Sequence, residues 1–210
     1  MNLIWLLCQG MFVTLKLFVL TLLFALPLGL IISFGRRSKF IIIRWIAGIY
    51  ISIMRGTPLI LQLLVVYFGP YYVFHGKIDR FAAAIIAFGL NYAAYFAEIY
   101  RGGIESIPKG QYEAGDVLGF TKTQIFFRII LPQVIKRILP AISNEVITLL
   151  KDTALVTTIG VAEMYKAAQG ESSRIFSVQP LFVAGAFYYI MNLIIAQLFK
   201  LTEKKLDYYR

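Results

Sequence analysis

The stretch that decides the fold is Glu113-Ala-Gly-Asp-Val-Leu-Gly119, followed nine residues later by Ile129-Ile-Leu-Pro132. It lies in the segment from Arg101 to Arg137, which carries nine charged side chains. The chain as a whole is 59% hydrophobic, with a mean hydropathy of +0.73, whereas apolar residues make up about 45–50% of a soluble domain. A segment this charged in a chain this apolar must lie in water. It is therefore predicted to be a surface for another protein.

The local pattern of this segment predicts two short helices joined by a glycine corner. Residues 111–117 can form two helical turns, and Gly119 then ends that helix. Thr121 is predicted to cap a second helix over residues 122–130, whose apolar residues are spaced for one buried face. Pro132 is predicted to break this helix before the next membrane segment.

Six residues of the first helix and its corner are the predicted contacts with a partner protein. Small residues among them would let the backbone of the partner approach closely. An ordinary amphipathic loop is the simpler alternative, but it does not require a match at several fixed offsets at once. The six residues are Glu113, Ala114, Gly115, Asp116, Leu118 and Gly119.

Apolar stretches predict an all-α membrane protein, because about 20 helical residues are needed to cross a hydrocarbon core of about 30 Å. We predict five spans within one transmembrane domain, residues 1–210. Residues 40–55 form a shorter interfacial piece before the second span, because Gly56-Thr57-Pro58 interrupts the apolar run. The spans are residues 9–34, 57–74, 81–100, 134–150 and 180–199.

Charge sets the predicted orientation. If the N-terminus is outside, the inner loops and the C-terminal tail hold 15 of the 21 Lys and Arg residues, as the positive-inside rule requires. The formal net charge of +10 is thereby explained without a nucleic-acid partner. The predicted topology is N-out and C-in, with the charged segment in the cytoplasm.

The motif resembles a family signature. The chain has Glu113-Ala-Gly, then three residues, Gly119, nine residues and Ile129-x-Leu-Pro132. This spacing resembles the EAA signature of permease subunits of binding-protein-dependent ABC importers. The one departure is Gly115, where that family usually has alanine. Four further stretches are similar to the polar amino acid branch of these permeases: Arg55-Gly-Thr-Pro-Leu-Ile-Leu-Gln62, Tyr95-Phe-Ala-Glu-Ile-Tyr-Arg-Gly-Gly-Ile104, Ile107-Pro-Lys-Gly-Gln111 and Leu150-Lys-Asp-Thr-Ala-Leu155.

The resemblance implies the type I importer fold and a multi-pass protein of the bacterial inner membrane. It also implies a dimer of cytoplasmic ABC ATPases, a second permease subunit, an extracytoplasmic solute-binding protein and an amino acid substrate. The chain has no phosphate-binding Gly-x4-Gly-Lys-Ser/Thr motif, so ATP and Mg²⁺ are expected on the partner ATPase and no cofactor on this chain.

Neither catalysis nor a metal site is predicted. His75 is the only histidine and Cys8 the only cysteine, which leaves no credible catalytic triad and no metal-ligand cluster. The chain is therefore expected to be a non-catalytic subunit, and the resemblance implies that it transports by alternating access.

Polar residues at membrane depth indicate a transport path, because such groups usually face a cavity or the bundle interior. Residues 151–160 are too polar for lipid and are predicted to be irregular backbone lining a cavity. We predict that the cavity binds the amino acid through Thr57, Asn91, Tyr95, Thr158 and Glu163. Acidic side chains near this path favour a basic amino acid.

Several of these acidic groups have a structural alternative. For Glu98 it is an ion pair with Arg101, and for Glu145 an ion pair with Lys151 or with an arginine of the second subunit. For Glu163 the alternative is to hold the outer loop to Lys166 at i+3. An ion-coupled secondary carrier for amino acids is the alternative function, although such a carrier needs no docking surface like the Glu113 segment.

Overall fold

The computed structural model describes residues 3–206, and all regular structure within them is helical. The all-α prediction is confirmed. The α-helices are α1 Leu3–Arg36, α2 Ile41–Gly56, α3 Leu59–Phe74, α4 Arg80–Glu105, α5 Lys109–Val117, α6 Lys122–Gln124, α7 Leu131–Asp152, α8 Met164–Ile175 and α9 Gln179–Leu206. A π-helical segment, Ile125–Ile130, joins α6 to α7, and a 3-10 helix, Thr153–Ile159, follows α7.

Helices α1 and α4 form the centre of the bundle and run parallel. Gly89 of α4 accommodates the ring of Phe24, and Gly29 lies against the backbone of α4, where an added Cβ would be 2.9 Å from the carbonyl oxygen of Ala93. The contacting pairs Phe24–Gly89 and Gly29–Ala93 follow each other in the same order along α1 and α4, so the two helices run parallel. Phe96 fills the space beside this contact and has no exposed surface. Small residues on facing sides thus let the two helices approach closely.

The second predicted span is broken from the helix before it. Helices α2 and α3 meet at 107° around Thr57 and Pro58, as the sequence predicted for this Pro-containing turn. Helix α3 has 16 residues, which corresponds to about 24 Å and is shorter than a hydrocarbon core of about 30 Å. Helix α3 alone is therefore shorter than a full span.

The number of spans is not confirmed by the structure. Among residues 3–206, three helices, α1, α4 and α9, are long and apolar enough to cross a membrane, and the bent α2–α3 pair would make a fourth. Helix α7 occupies the position of the predicted fourth span but is less apolar, because Lys136, Arg137 and Glu145 lie within it. Five spans remain a prediction.

The predicted break at Pro132 is wrong. The chain continues as helix through Ile125–Ile130 into α7, and Pro132 lies in the first turn of α7. The backbone N–H of Leu131 donates to the carbonyl of Phe126, five residues earlier. A widened π turn takes up the proline ring and its missing N–H, so the helix is locally distorted instead of ended.

The bundle has two distinct ends. We call the end that carries α5 and α6 the motif end, and the end that carries α8 the far end. At the far end, the Lys16 ammonium lies 5.2 Å from the ring centre of Phe81 in the first turn of α4. The first thirteen residues of α1 therefore extend about 20 Å beyond α4. They pack against α8, where a Cβ on Gly10 would lie 2.6 Å from Cα of Met164.

Candidate functional sites

At the motif end, the chain forms the predicted helix, glycine corner and second helix. Gly119 has φ of +75° and its N–H donates to the carbonyl of Asp116, while the N–H of Phe120 donates to that of Gly115. These two bonds are a Schellman motif, which satisfies the last carbonyls of α5. Thr121 and Gln124 then form a capping box at the start of α6. The glycine end and the threonine cap are both confirmed.

Most of the predicted contact residues are exposed on this helix and corner. Val117 and Leu118 are 88% and 71% exposed, and Glu113, Ala114, Asp116 and Gly119 are exposed beside them. Exposed large apolar side chains at the tip of a charged segment are typical of a surface that another protein covers.

Gly115 differs from the other five residues, because it is buried against its own chain. A Cβ added to Gly115 would lie 2.7 Å from Cγ1 of Ile125 and 3.3 Å from Cδ1 of Ile129. Its small size lets α5 lie close to the π-helical segment. The expectation that Gly115 leaves room for a partner does not hold in this conformation, in which the space is already filled.

The motif end is fastened to the bundle by an apolar cluster and by two polar contacts. Gln133 of α7 donates to the Gln111 side chain over 3.1 Å, and the Arg137 guanidinium donates to the carbonyl of Ser106. These contacts attach α5 to α7 and the end of α4 to α7. The buried members of the cluster are Ile104, Ile107, Ile125, Ile130, Val134 and Ile138.

A polar cluster lies at the bend between α2 and α3. The amide of Asn91 donates to the carbonyl of Met54 over 2.9 Å and to Oε1 of Gln62 over 3.0 Å. Gln62 in turn donates to Oγ1 of Thr57 over 2.7 Å. Asn91 is only 4% exposed, whereas Thr57 is exposed. The side chains therefore form a chain of hydrogen bonds that runs from the core to the surface.

Tyr95 extends this cluster along α4, one turn from Asn91. The Arg55 guanidinium lies 5.3 Å from the centre of the Tyr95 ring, a cation–π geometry. We call Arg55, Thr57, Gln62, Asn91 and Tyr95 the bend cluster. Three of the five predicted substrate residues, Thr57, Asn91 and Tyr95, thus belong to one site.

Gln62 is the residue that sequence reasoning missed. It lies in a quoted family stretch and is the one amide in the first two turns of an apolar helix. Such a side chain is costly to leave without a partner. Its link to Asn91 depends on the angle between α2 and α3, which a one-dimensional pattern does not contain.

Acidic side chains of α7 lie beside the bend cluster. The Tyr92 hydroxyl donates to Oδ2 of Asp152 over 2.7 Å, and Glu145 has Arg55 and Asp152 as charged neighbours. Both carboxylates belong to α7, with Asp152 at its last residue and Glu145 about two turns earlier. The 3-10 helix, Thr153–Ile159, takes the place of the irregular backbone predicted over residues 151–160.

Glu163 lies in a different, closed cluster at the far end. Its side chain has no exposed surface. Oε1 accepts from the Thr157 hydroxyl over 2.8 Å and from the N–H of Lys166 over 2.6 Å. Oε2 accepts from the N–H of Tyr165 over 2.7 Å and from the Tyr188 hydroxyl over 3.0 Å. The carboxylate therefore caps α8 and ties it to α9 and to the 3-10 helix.

Thr14 of α1 completes what we call the Glu163 cluster: Thr14, Thr157, Glu163 and Tyr188. Its hydroxyl lies 3.4 Å from Oε2 of Glu163 and accepts from the N–H of Met164 over 3.3 Å. The structure thus places Glu163 away from the bend cluster. Thr158 belongs to neither cluster, because it is exposed and its hydroxyl donates to the carbonyl of Leu155.

The structural alternative holds for Glu98, which forms an ion pair with Arg101. Arg101 also forms an ion pair with Glu105. Glu163 contacts the backbone N–H of Lys166. Within residues 3–206, no three His, Cys, Asp or Glu side chains come together as metal ligands.

Comparison with known proteins matches residues 25–208 to the family described as the binding-protein-dependent transport system inner membrane component. The chain belongs to this family. The permease is 43% identical over 199 residues to the arginine transport system permease protein of Bacillus subtilis, covering 94% of this chain and 91% of the relative. It is 38% identical over 202 residues to the L-cystine transport system permease protein of the same organism, covering 95% and 86%.

A solved structure confirms the fold of the permease. The crystal structure of an amino acid ABC transporter with histidines matches it with a TM-score of 0.88 at 37% identity, covering 95% of this chain and 94% of that one. The permease is therefore a membrane protein of the type I importer fold and a transport subunit of the amino acid ABC importers.

Proposed function

We propose that the permease forms the translocation pathway of an ATP-driven amino acid importer in the bacterial inner membrane. A second permease subunit would complete the pathway, an extracytoplasmic solute-binding protein would deliver the amino acid, and a cytoplasmic ABC ATPase dimer would bind ATP and Mg²⁺. The observation that carries this proposal is the exposed tip of α5 on a rigidly fastened motif end, in a chain of this family.

Coupling is proposed to run through the predicted contact residues. Glu113, Ala114, Asp116, Leu118 and Gly119 would lie against the ATPase, and Gly115 would hold α5 to the π-helical segment. Closure of the ATPases on ATP would move α5, and the Gln133 and Arg137 contacts would pass that motion to α4 and α7. Rocking of the bundle between two states is what alternating access requires.

The substrate is proposed to bind first at the bend cluster. Thr57, Asn91 and Tyr95 line a polar path that reaches the surface, and amide and hydroxyl groups can donate to a substrate carboxylate. Thr158 and Glu163 would join the path only in another state of the permease, after α8 or the 3-10 helix has moved. The burial of Glu163 supports the proposal that substrate meets the bend cluster before it meets Glu163.

A basic amino acid is the proposed substrate. Glu145 and Asp152 beside the bend cluster offer carboxylates to an ammonium or guanidinium group, and one relative is named as an arginine transport permease. The L-cystine relative makes the choice of substrate the part of the proposal that most needs a direct assay. Competition between arginine, lysine, histidine and cystine for uptake into proteoliposomes would decide it.

The test of the proposed function is co-purification of the permease with the ATPase encoded beside it. Glu113→Arg and Gly119→Trp should abolish the complex while the membrane domain stays folded. Glu171→Arg and Gly170→Trp make the same chemical changes on α8 at the far end, and they should leave the complex intact. Stable complexes in both motif-end variants would overturn the coupling role.

Reconstitution tests the ATP requirement. The permease with its ATPase and binding protein should take up the amino acid only when ATP is present. Uptake by the permease alone, driven by an ion gradient, would instead establish a secondary carrier.

A further inference from the structure

A cavity at the motif end is not explained by the transport path. Its volume is about 900 Å³, and it lies between the π-helical segment, the first turns of α7 and the end of α9 at Leu206. Gln111 of α5 closes one side. The bend cluster and the Glu163 cluster contribute no residue to it.

The lining of this cavity is basic on one part and apolar on another. Its charged side chains are Arg128, Lys136 and Arg137, and among the described lining residues none is acidic. Arg128 is exposed, so its guanidinium is accessible to a ligand. The apolar lining residues are Ile129, Leu131, Pro132, Ile135, Pro140 and Leu206.

The sequence positions of the lining residues place the cavity at the edge of the apolar part of the helix bundle. Lys136 and Arg137 directly precede the apolar turns of α7, and Lys204 and Lys205 lie in the last turn of α9 beside Leu206. Helix α9 is long and apolar enough to cross a membrane, and basic residues at the end of such a helix and on its neighbour α7 are typical of the level of lipid headgroups. Basic pockets between membrane helices at that level suit anionic headgroups.

We propose that this cavity binds an anionic phospholipid, with the headgroup phosphate at Arg128 and Arg137 and the acyl chains along Ile135 and Pro140. A phosphate needs the guanidinium donors, and the acyl chains need the apolar side chains. A soluble phosphate compound would use only the guanidinium donors and not the apolar side chains. The proposal does not depend on which solute the permease transports.

The test uses the full chain, purified in neutral detergent and stripped of lipid. Dioleoyl phosphatidylglycerol and dioleoyl phosphatidylcholine are titrated separately, and retained lipid is counted by native mass spectrometry. Phosphatidylglycerol should bind at least fivefold more tightly than phosphatidylcholine. Arg128→Gln should weaken its binding about fivefold, because one basic side chain near an anionic surface contributes about 1 kcal/mol.

Lys122→Gln is the matched control, because it removes one exposed charge from the same end but does not line the cavity. It should leave phosphatidylglycerol binding unchanged. Equal losses in the two variants, or equal binding of the two lipids, would overturn the proposal. Displacement by millimolar inorganic phosphate would assign the site to a soluble anion, and loss of the lipid on adding the ATPase would assign it to the protein interface. Either outcome also overturns it.

Discussion

Two polar clusters interrupt the apolar body of the permease, and they differ in charge and in access. The bend cluster is built of amide, hydroxyl and guanidinium groups, and its hydrogen-bond chain ends at the exposed Thr57. The Glu163 cluster holds a carboxylate with no exposed surface, and four strong donors surround it. The open cluster reaches the surface at Thr57, and the closed one fastens helices together.

The largest effect is expected for Glu163→Ala. Removing the carboxylate leaves the N–H groups of Tyr165 and Lys166 and two hydroxyl groups without their acceptor. Each unsatisfied buried donor costs about 1–3 kcal/mol, so the free energy of unfolding should fall by at least about 3 kcal/mol. Chemical or thermal unfolding in detergent measures this free energy. Glu113→Ala removes an exposed carboxylate and should change the free energy of unfolding little. Equal losses of stability in the two variants would contradict the distinction between open and closed polar groups.

Gly10→Ala tests whether close packing closes the Glu163 cluster. The new methyl group would meet backbone atoms of Met164, which cannot move aside as a side chain can. Overpacking of this kind costs about 1–3 kcal/mol. The measurement is the unfolding midpoint. Gly170→Ala, at a position of α8 with nothing nearby, should be neutral or stabilising by up to about 1 kcal/mol, and a loss as large as that of Gly10→Ala would rule out the packing explanation.

Asn91→Ala should separate transport from stability. Its loss leaves Oε1 of Gln62 without a donor and should cost about 1–2 kcal/mol in unfolding free energy. If the bend cluster binds substrate, ATP-driven uptake should fall about tenfold, the factor that corresponds to 1.4 kcal/mol. Asn144→Ala changes an exposed asparagine on α7 and serves as the control. Normal uptake by Asn91→Ala would remove the bend cluster from the pathway.

The last comparison is between two threonines, one in each cluster, and it includes the smallest expected effect. Thr157→Val removes a donor from the buried Glu163 carboxylate and should cost about 1.5–3 kcal/mol, the range for hydrogen bonds to charged groups. Thr57→Val removes an exposed hydroxyl that water can replace, and should change unfolding free energy by about 0.5 kcal/mol or less. The two variants are compared under the same unfolding conditions. Equal losses would show that access to water does not distinguish the clusters.

Local features were predictable from the sequence because they depend on neighbouring residues. The Gly119 end of α5, the Thr121 cap and the break near Pro58 all follow from short-range backbone rules. Pro132 was misjudged because a π turn relieves the clash that would otherwise end a helix. Gly115 was misjudged because its neighbour, Ile125, comes from the folded-back second helix.

Long-range placement was not predictable in the same way. Glu163 was recognised as a polar residue of interest, but Thr14, its neighbour across the cluster, is 149 residues away in the chain. The role of Gln62 depends on the angle between two helices. Periodicity identifies which residues are buried, but it does not identify which distant elements bury them.

The length of α1 has a mechanical consequence. With 34 residues it is about 50 Å long, and it touches both the central helix α4 and, at its free end, the start of α8. It therefore has the geometry of a lever whose longer arm, residues 16–36, lies along α4 and whose shorter arm, residues 3–15, reaches α8. A tilt of about 10° about the Arg36 end would sweep the other tip by about 9 Å, so a small rotation imposed at one membrane face becomes a large displacement at the opposite face.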